Sequence, residues 1–341
     1  MKGNVLHHYV EEFRAGRDLL GDDAEVFFDC LIAETDEALI CKILNSWETK
    51  GTTEDELFAL ASIMRIRMKR IEPRNPTVID IVGTGGSRAK TFNVSTAAAF
   101  VIAASGVAVA KHGNRAATSN SGSADVLGLL GVTADLAPET AEQCLNEQGI
   151  CFMFAPRFHS LSPALAKVRR GFGRPTIFNN LGPLCNPAGV SHHLIGVWNK
   201  DLLEKTANVL RRLGTERSWI VHGENGLDEI ALFGKTHVAA IEDGNVVSKN
   251  ISSDDYGFAI DNGELPQNLS AAESAALIRD ILENKRSGEN VENIVLMNAA
   301  AAIYVAGLAD DLPTAFSLAA NSVRSGSAMA KLTALAKATN E

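Results

Sequence analysis

The sequence predicts an α/β protein in which a small all-helical domain precedes a large α/β domain with a central, mainly parallel sheet flanked by helices. Three observations support this prediction. Apolar residues recur at helical spacing over the first 72 residues. A proline-flanked segment at residues 72–76 then ends that pattern. After it, short apolar runs alternate with helical segments, which is typical of a parallel sheet. We expect a helical domain over residues 1–73, joined by a later helical excursion near 163–187, and an α/β domain over 74–341.

The individual elements follow from local patterns in chain order. In the helical part, Thr53 precedes three acidic residues and an apolar run, which is typical of a capped helix start. Short apolar runs predict buried strands at 78–82, 107–110, 151–154, 194–197 and 218–221. Helical patterns predict helices at 97–105, 124–130, 202–213, 271–283, 291–306 and 313–338, the last broken near Gly326.

Composition excludes several classes of protein. The chain has 341 residues and a formal net charge of −9, which disfavours a nucleic-acid-binding surface. Its five cysteines include no C-x-x-C pair, so a disulfide framework or zinc site is not expected. The first residues lack the apolar core of a signal peptide, and no apolar run is long enough to span a bilayer. We therefore expect a cytoplasmic protein that contacts neither nucleic acid nor membrane.

The first chemistry-bearing segment is the glycine loop from Gly83 to Gly86, which directly follows a predicted strand. Three glycines in four residues leave the backbone N–H groups open to a ligand. Ser95 and Thr96 are predicted at the N-cap of the next helix, where the helix dipole favours an anion. The loop is neither a Walker motif nor G-x-G-x-x-G. The sequence alone also allows a tight strand-to-helix turn without a ligand.

A second polar loop, from Lys111 to Arg115, follows the next predicted strand. A lysine at the carboxyl end of a strand faces the crevice where α/β sheets bind ligands, and its charge suits a phosphate. Asn114 can donate and accept hydrogen bonds. Three hydroxyls follow at the next helix start, from Ser119, Ser121 and Ser123. A polar loop without a ligand is the alternative, but two such loops in tandem favour a phosphate-rich ligand.

Two further segments carry charged candidates. Asp228 and Glu229 lie after a predicted strand, where adjacent carboxylates suit Mg²⁺, although such pairs are often only solvated. Arg169 lies in a basic cluster and could bind a carboxylate through two hydrogen bonds, although such a cluster is often a solvated helix face. His192 and His193 are expected to flank a strand. No histidine spacing indicates a metal site or a catalytic triad.

Taken together, these motifs resemble those of the anthranilate phosphoribosyltransferase family. The similarity is colinear over nearly the whole chain. It rests on Asp80-Ile-Val-Gly-Thr-Gly-Gly86, Thr91-Phe-Asn-Val-Ser-Thr96, Lys111-His-Gly-Asn-Arg115, Ser121-Gly-Ser-Ala-Asp-Val-Leu127, Val168-Arg169, Ile177-Phe-Asn179, Leu181-Gly-Pro-Leu184, Asn186-Pro-Ala188, His222-Gly-Glu224 and Gly226-Leu-Asp-Glu-Ile230. The resemblance implies the nucleoside phosphorylase/phosphoribosyltransferase-like fold and a homodimer formed through the helical domains.

The resemblance also implies a pentosyltransferase of tryptophan biosynthesis. Such an enzyme transfers the phosphoribosyl group of 5-phosphoribosyl-1-diphosphate to the amine of anthranilate, with Mg²⁺ as cofactor. No residue is expected to act as acid or base, and Lys111 is expected to assist electrostatically. By position, the implied donor-binding residues are Gly83, Gly86, Ser87, Thr91, Asn93, Val94, Ser95, Thr96, Lys111, His112, Gly113, Asn114, Ser119 and Ser123. The implied anthranilate contacts are Gly83, Asn114 and Arg169, and the implied metal ligands are Ser95, Asp228 and Glu229.

The sequence departs from the family pattern at three places around the donor pocket. The family usually has Asp after the two glycines, where this chain has Ser87 followed by Arg88 and Lys90. It usually has Lys where this chain has Asn120, and Arg where it has Pro175 next to Arg174. Two alternatives therefore stay open, a relative with another aromatic acceptor and a non-catalytic binding protein on this scaffold. A nucleoside phosphorylase is disfavoured because no Lys-His-Ser loop is present.

Overall fold

The computed structural model of the protein describes residues 2–19, 21–87, 91–115, 121–258, 260 and 263–341. The chain begins with four helices, α1 (Lys2–Arg14), α2 (Gly21–Ala33), α3 (Glu37–Lys50) and α4 (Glu54–Arg67). Helix α4 has the predicted start, since Thr53 and Glu56 form a reciprocal capping box. Helices α1 to α4 form a helical layer, and aromatic rings from three of them lie at its centre. Phe13 is stacked on Trp47 at 4.9 Å between centroids, and Phe27 is set edge-on to both.

A seven-stranded sheet follows, in the order β3-β2-β1-β4-β5-β6-β7. Its strands are β1 (Val78–Gly83), β2 (Ala108–Gly113), β3 (Ile150–Phe154), β4 (His192–Gly196), β5 (Arg217–Gly223), β6 (Thr236–Glu242) and β7 (Asn245–Ile251). Strands β1 to β5 pair in parallel, whereas β6 and β7 are antiparallel. The sheet and its flanking helices confirm the fold class predicted from the sequence.

Two local predictions need correction. His192 and His193 do not flank a strand but begin β4, where both side chains are buried. The hairpin of β6 and β7 was not predicted. Its two-residue turn, Asp243 and Gly244, has φ values of 49° and 75°. Positive φ at both positions is the geometry of the turns that join antiparallel strands, so this Asp-Gly pair was the overlooked signal.

The remaining helices pack mainly on the two faces of the sheet. They are α5 (Val94–Ala104), α6 (Ser123–Leu129), α7 (Pro138–Gln148), α8 (Ala155–Phe158), α9 (Pro163–Gly171), α10 (Ile177–Leu184), α11 (Leu203–Arg212), α12 (Ala271–Leu282), α13 (Asn290–Val305), α14 (Leu312–Arg324) and α15 (Ser327–Ala338). Helix α9 packs instead against α3. Short 3₁₀ helices occupy Lys200–Leu202 and Ser253–Tyr256. No helix in the described part of the chain has the length and apolar character needed to cross a membrane.

Side-chain alternation along the strands divides the core in two. Leu194 and Trp219 face the cluster built around α5, α13, α14 and α15. Ile195 and Ile220, the next residues along their strands, face a second cluster. That second cluster runs through α11 and α10 to the N-terminal helices without a break. The boundary at residue 73 stays a prediction, because the helical layer and this face of the sheet share one core.

Candidate active site

The candidate site lies at the carboxyl edge of the parallel strands, where the first glycine loop joins β1 to α5. Helix α5 begins at Val94, so its N-cap residue is Asn93. The predicted N-cap at Ser95 and Thr96 is therefore wrong, and both residues lie in the first turn. Asparagine is itself a strong N-cap residue, and it stands two places earlier. Thr91 is half-buried just before this turn, and its hydroxyl donates to the Phe92 carbonyl at 3.3 Å.

The loop between β5 and β6 carries Asp228 and Glu229 and is called the acidic loop. It places Asp228 directly over the ends of β1 and β4. Gly83 and Gly196 are paired residues at those two strand ends. A Cβ atom on Gly83 would lie 2.8 Å from Asp228 Oδ2, and one on Gly196 would lie 1.5 Å from the Asp228 carbonyl oxygen. The Asp228 carboxyl also accepts a hydrogen bond from the Gly85 backbone N–H. The acidic loop can therefore reach the glycine loop only because two strands end in glycine.

Glu229, Lys111 and Ser95 come together beside Asp228. Lys111 is 4% exposed, and its Nζ donates to Ser95 Oγ at 3.2 Å and to the Ile81 carbonyl. The Glu229 carboxyl accepts the backbone N–H of Ser95, at the N-terminus of α5. Its Oε2 atom is buried without a hydrogen-bond partner. The structure thus assembles the three predicted metal ligands around the predicted phosphate lysine.

The charges in this cluster are strongly perturbed by burial. Burial raises the pKa of Glu229 well above its usual value, and the charge of Asp228 raises it further. Burial likewise raises the pKa of Asp228. Burial lowers the pKa of Lys111 to about 8, although Asp80 and Glu229 oppose that shift. Two half-buried carboxyls side by side raise each other's tendency to hold a proton, and a nearby cation such as Lys111 opposes that tendency.

The cluster fits a small divalent cation. Two carboxylates, one of which has a buried oxygen without a partner among the described residues, and one serine hydroxyl form an all-oxygen donor set, as Mg²⁺ prefers. Among the residues that the structure describes, no group of three or more His, Cys, Asp or Glu side chains could hold a metal. A cation bound here would therefore complete its coordination with oxygens of water or of a phosphorylated ligand.

The second loop lies beside the first and is tied to it. Asn93 Oδ1 accepts a hydrogen bond from Ser121 Oγ at 2.8 Å. The Ser123 hydroxyl, at the start of α6, donates to the Asn114 carbonyl at 3.3 Å. A Cβ atom on Gly113 would lie 2.5 Å from that hydroxyl. Ser119 was also predicted to bind the donor, and it lies outside the described residues, as do Arg88, Lys90 and Asn120.

Arg169 supplies a half-buried cation on the helical side of this edge. Its guanidinium lies over the Phe178 ring at 4.7 Å, and its Nε atom is buried without a hydrogen-bond partner. Burial, followed by the charge of Arg170, lowers the pKa of Arg169 to about 10. The neighbouring Lys167 is exposed and pairs with Glu37. Arg169 therefore faces inward, whereas the rest of its cluster is the solvated helix face that the sequence also allowed.

Two histidines occupy the space between Lys111 and Arg169. The rings of His112 and His159 lie 5.1 Å apart. His112 Nδ1 is 3.1 Å from the Gly182 carbonyl oxygen, which places the ring proton on Nδ1. Burial lowers the pKa of His112 to about 3 and that of His159 to about 4, so both rings are neutral at pH 7. Neutral rings suit an aromatic ligand, while the charge of Arg169 suits its carboxylate.

Asp80 is a site residue to which the sequence reasoning gave no role. Its side chain is fully buried and accepts hydrogen bonds from the His112 backbone N–H at 3.2 Å and from Asn186 Nδ2 at 2.7 Å. Burial raises the pKa of Asp80 to about 6, an effect that the positive charge of Lys111 opposes. The carboxyl thus joins the second loop to the segment before β4. An aspartate within the apolar run of β1 was the available signal.

Asn298 on α13 fixes the acidic loop through two hydrogen bonds to the backbone of Ile230. Its Oδ1 accepts the Ile230 N–H at 3.0 Å, and its Nδ2 donates to the Ile230 carbonyl at 3.1 Å. Both hydrogen bonds act on the residue next to Glu229. No local pattern in the sequence could have linked these residues, because they are 68 positions apart.

The structure also places the departures from the family pattern. Pro175 packs against the glycine loop, since a Cβ atom on Gly86 would lie 2.5 Å from its Cγ. The Arg174 guanidinium instead donates to Asn45 Oδ1 on α3 at 2.9 Å. The Ser87 hydroxyl donates to the Gly226 carbonyl at 2.7 Å, which joins the glycine loop to the acidic loop. Arg174 therefore does not replace the missing arginine at the glycine loop.

Comparison with known proteins agrees with this geometry. The glycosyl transferase family, a/b domain, matches residues 75–329. The chain is 42% identical to the anthranilate phosphoribosyltransferase of Azorhizobium caulinodans, over 95% of this chain and 94% of that one. It is 40% identical to that of Moorella thermoacetica, over 97% of each chain.

Solved structures give the same result. The anthranilate phosphoribosyltransferase of Thermus thermophilus is 34% identical, with a TM-score of 0.87 over 98% of this chain and 99% of that one. That of Saccharomyces cerevisiae, solved in complex with PRPP and Mg, is 26% identical, with a TM-score of 0.87 over 98% of each chain. The resemblance seen in the sequence is confirmed: the chain belongs to the anthranilate phosphoribosyltransferase family.

Proposed function

We propose that the protein transfers the 5-phosphoribosyl group from 5-phosphoribosyl-1-diphosphate to the amine of anthranilate. The products are N-(5-phosphoribosyl)anthranilate and diphosphate, and the reaction belongs to tryptophan biosynthesis. The observation that carries this proposal is Arg169, whose buried Nε atom has no hydrogen-bond partner among the described residues and whose charge acts on His159, the ring next to His112 and Lys111. One side of the edge suits a phosphorylated sugar, and the other suits an aromatic carboxylate.

The donor-binding side consists of the two loops. The N-terminus of α5 offers about half a positive charge to the diphosphate, although the Gly85 and Ser95 N–H groups already donate to Asp228 and Glu229. Lys111 adds a full charge from a buried position. Hydroxyls and amides along both loops offer further hydrogen bonds to the ribose and its phosphate. We propose that the donor residues named from the sequence serve these roles.

We propose that Ser95, Asp228 and Glu229 hold Mg²⁺. When bound, the ion would neutralise charge on the diphosphate leaving group. The Saccharomyces cerevisiae relative, solved with PRPP and Mg, supports this assignment. The Glu229 Oε2 atom supports it independently, since it is buried and has no hydrogen-bond partner among the described residues.

Electrostatics and positioning explain how these residues promote the reaction. As the bond from ribose C1 to the diphosphate breaks, negative charge grows on the leaving group. Lys111 and the loop N–H groups are fixed in place before that charge appears, so they stabilise it without reorganising. The amine of anthranilate is neutral at pH 7, so it needs no strong base. Arg169 would hold the carboxylate so that the amine faces C1, which replaces a random encounter by an oriented one.

Replacing Arg169 with alanine tests the acceptor side. Because the buried Nε atom of Arg169 has no hydrogen-bond partner among the described residues, removal of Arg169 should cost the acceptor a charged hydrogen bond, worth about 1.5–3 kcal/mol. We expect the KM for anthranilate to rise about 10- to 100-fold, while the KM for the donor changes less than about threefold. Steady-state kinetics with each substrate varied in turn would measure both values.

Arg170→Ala is the matched control, because it removes the same charge from the exposed next position of α9. It should leave both KM values close to those of the unmodified protein. Equal rises in the two KM values of Arg169→Ala would contradict the proposed role of Arg169.

We further propose that the enzyme is a cytoplasmic homodimer joined through its helical layer. Two large apolar side chains are exposed on that layer, Val26 on α2 at 54% and Ile66 on α4 at 80%. Both are suited to burial against a second copy of the chain. No disulfide joins any of the five cysteines, all of which lie in the described part of the chain, as is usual for a reducing compartment.

A further inference from the structure

A buried contact outside both loops controls the side chain of Asn93. Asn93 is the N-cap residue of α5, but its side chain makes no hydrogen bond to the helix that it caps. Instead, Oδ1 accepts hydrogen bonds from Ser121 Oγ at 2.8 Å and from Ser274 Oγ at 2.9 Å. Ser274 lies in α12, 181 positions further along the chain.

The hydroxyl of Ser274 contacts Asn93 at two points, and together they fix the direction of the amide. Its oxygen accepts the Asn93 backbone N–H at 3.1 Å. Its single proton is given to Asn93 Oδ1. The amide must therefore direct its oxygen towards α12 and its NH₂ group the other way. In the part of the chain that the structure describes, that NH₂ group has one contact, to the Ser121 carbonyl at 3.4 Å.

Ser274 is itself held rigidly. Its side chain is fully buried, one turn into α12. The start of that helix is fixed by a capping box in which Ser270 and Glu273 bind each other's backbone N–H groups. The next turns of α12 are anchored in the sheet core through Ile278 and Ile281. A fixed hydroxyl on α12 therefore acts together with Ser121 to orient the Asn93 amide before any ligand arrives.

We propose that Ser274 is a positioning residue for the phosphoribosyl donor. By holding the oxygen of the Asn93 amide, it keeps the NH₂ group of Asn93 directed between the two loops, ready to donate to an oxygen of the donor. This inference rests on the proposed function, because it takes the donor to bind across those loops. It assigns to α12 a role in donor affinity rather than in the chemistry of transfer.

The proposal predicts a selective loss of donor affinity in Ser274→Ala. Without the hydroxyl, the Asn93 amide oxygen loses one of its two hydrogen bonds and the Asn93 backbone N–H loses its partner, so the amide is held less firmly. We expect the donor to bind about 5- to 30-fold more weakly, while the KM for anthranilate changes less than about twofold. Calorimetric titration of the donor with Mg²⁺ would give the affinity without requiring turnover.

Ser322→Ala is the matched control. Ser322 is also a buried helix serine, but its hydroxyl contacts only the carbonyls of Val101 and Ala319. It should lower the melting temperature as much as Ser274→Ala does, yet leave donor affinity unchanged. Asn93→Ala provides the decisive comparison, because a residue that acts through Asn93 adds no further loss once Asn93 is gone. The double variant should bind the donor no more weakly than Asn93→Ala alone.

The outcomes separate this inference from the proposed function. Additive losses in the double variant, or unchanged donor affinity in Ser274→Ala, would overturn the role of Ser274. A protein that binds the donor with the predicted pattern but does not consume anthranilate would support the role of Ser274 and contradict the proposed acceptor.

Discussion

Gly196→Ala should lose at least about 100-fold in kcat/KM, although residue 196 offers no functional group to either substrate. The added Cβ atom would lie 1.5 Å from the Asp228 carbonyl oxygen and 2.3 Å from its carbonyl carbon. No rotation of a side chain can relieve that overlap, so the backbone of the acidic loop must move. A displacement of about 1 Å is enough to remove Asp228 and Glu229 from their positions beside Ser95. Steady-state kinetics at saturating Mg²⁺ would measure the loss.

Two further substitutions make this prediction specific. Gly83→Ala should destabilise the protein less than Gly196→Ala does, because its Cβ atom would meet the movable end of the Asp228 side chain at 2.8 Å. Gly128→Ala is the control, since this position in α6 has open space around it and alanine favours a helix. Full activity in correctly folded Gly196→Ala would show that the close packing of Asp228 on the strand ends is not needed for function.

The double variant Asp228→Asn with Glu229→Gln should have opposite effects on activity and stability. Activity should fall by at least about 10²-fold, because the metal and the leaving-group charge lose their carboxylates. Stability without metal should stay equal or rise. The reason is that the unmodified protein buries two adjacent carboxyls whose pKa values are both raised by burial. Neutral amides of the same shape remove that penalty. Melting temperatures in EDTA and turnover across a Mg²⁺ titration would test both halves.

A surface variant serves as the control for charge. Asp254→Asn with Asp310→Asn removes two negative charges from exposed positions, and it should change neither turnover nor its dependence on Mg²⁺. An unchanged Mg²⁺ dependence in the Asp228/Glu229 variant would reject the metal assignment. A large loss of stability in EDTA would show that the carboxyls support the fold rather than a bound cation.

Local sequence patterns were sufficient for the parts of the fold in which neighbouring residues carry the signal. Strands β1 to β5 and the long helices follow from apolar periodicity, which depends only on nearby residues. The β6–β7 hairpin was missed because its strands are mixed in composition, and only Asp243 and Gly244 mark the turn. Helix α7 was missed as well, because few of its residues are apolar.

The same distinction applies to the site. Gly83 and Lys111 lie in contiguous motifs, so they were named from the sequence alone. Ser274 and Asn298 were not, because each acts on a partner 181 or 68 positions away in the chain. Their partners are set by the packing of α12 and α13 on the sheet. Packing also accounts for the wrong N-cap, since the Asn93 side chain makes no cap hydrogen bond and contacts α12 instead.

The most direct test is to follow the fluorescence of anthranilate in the presence of the purified protein, the phosphoribosyl donor and Mg²⁺. The account predicts that the signal falls with time, that the fall requires both donor and Mg²⁺, and that one diphosphate is released for each anthranilate consumed. Other aromatic amines that lack the carboxylate should react far more slowly, because they offer nothing to Arg169. A folded protein that leaves anthranilate unchanged under these conditions, or that prefers an acceptor without a carboxylate, would contradict the proposed function.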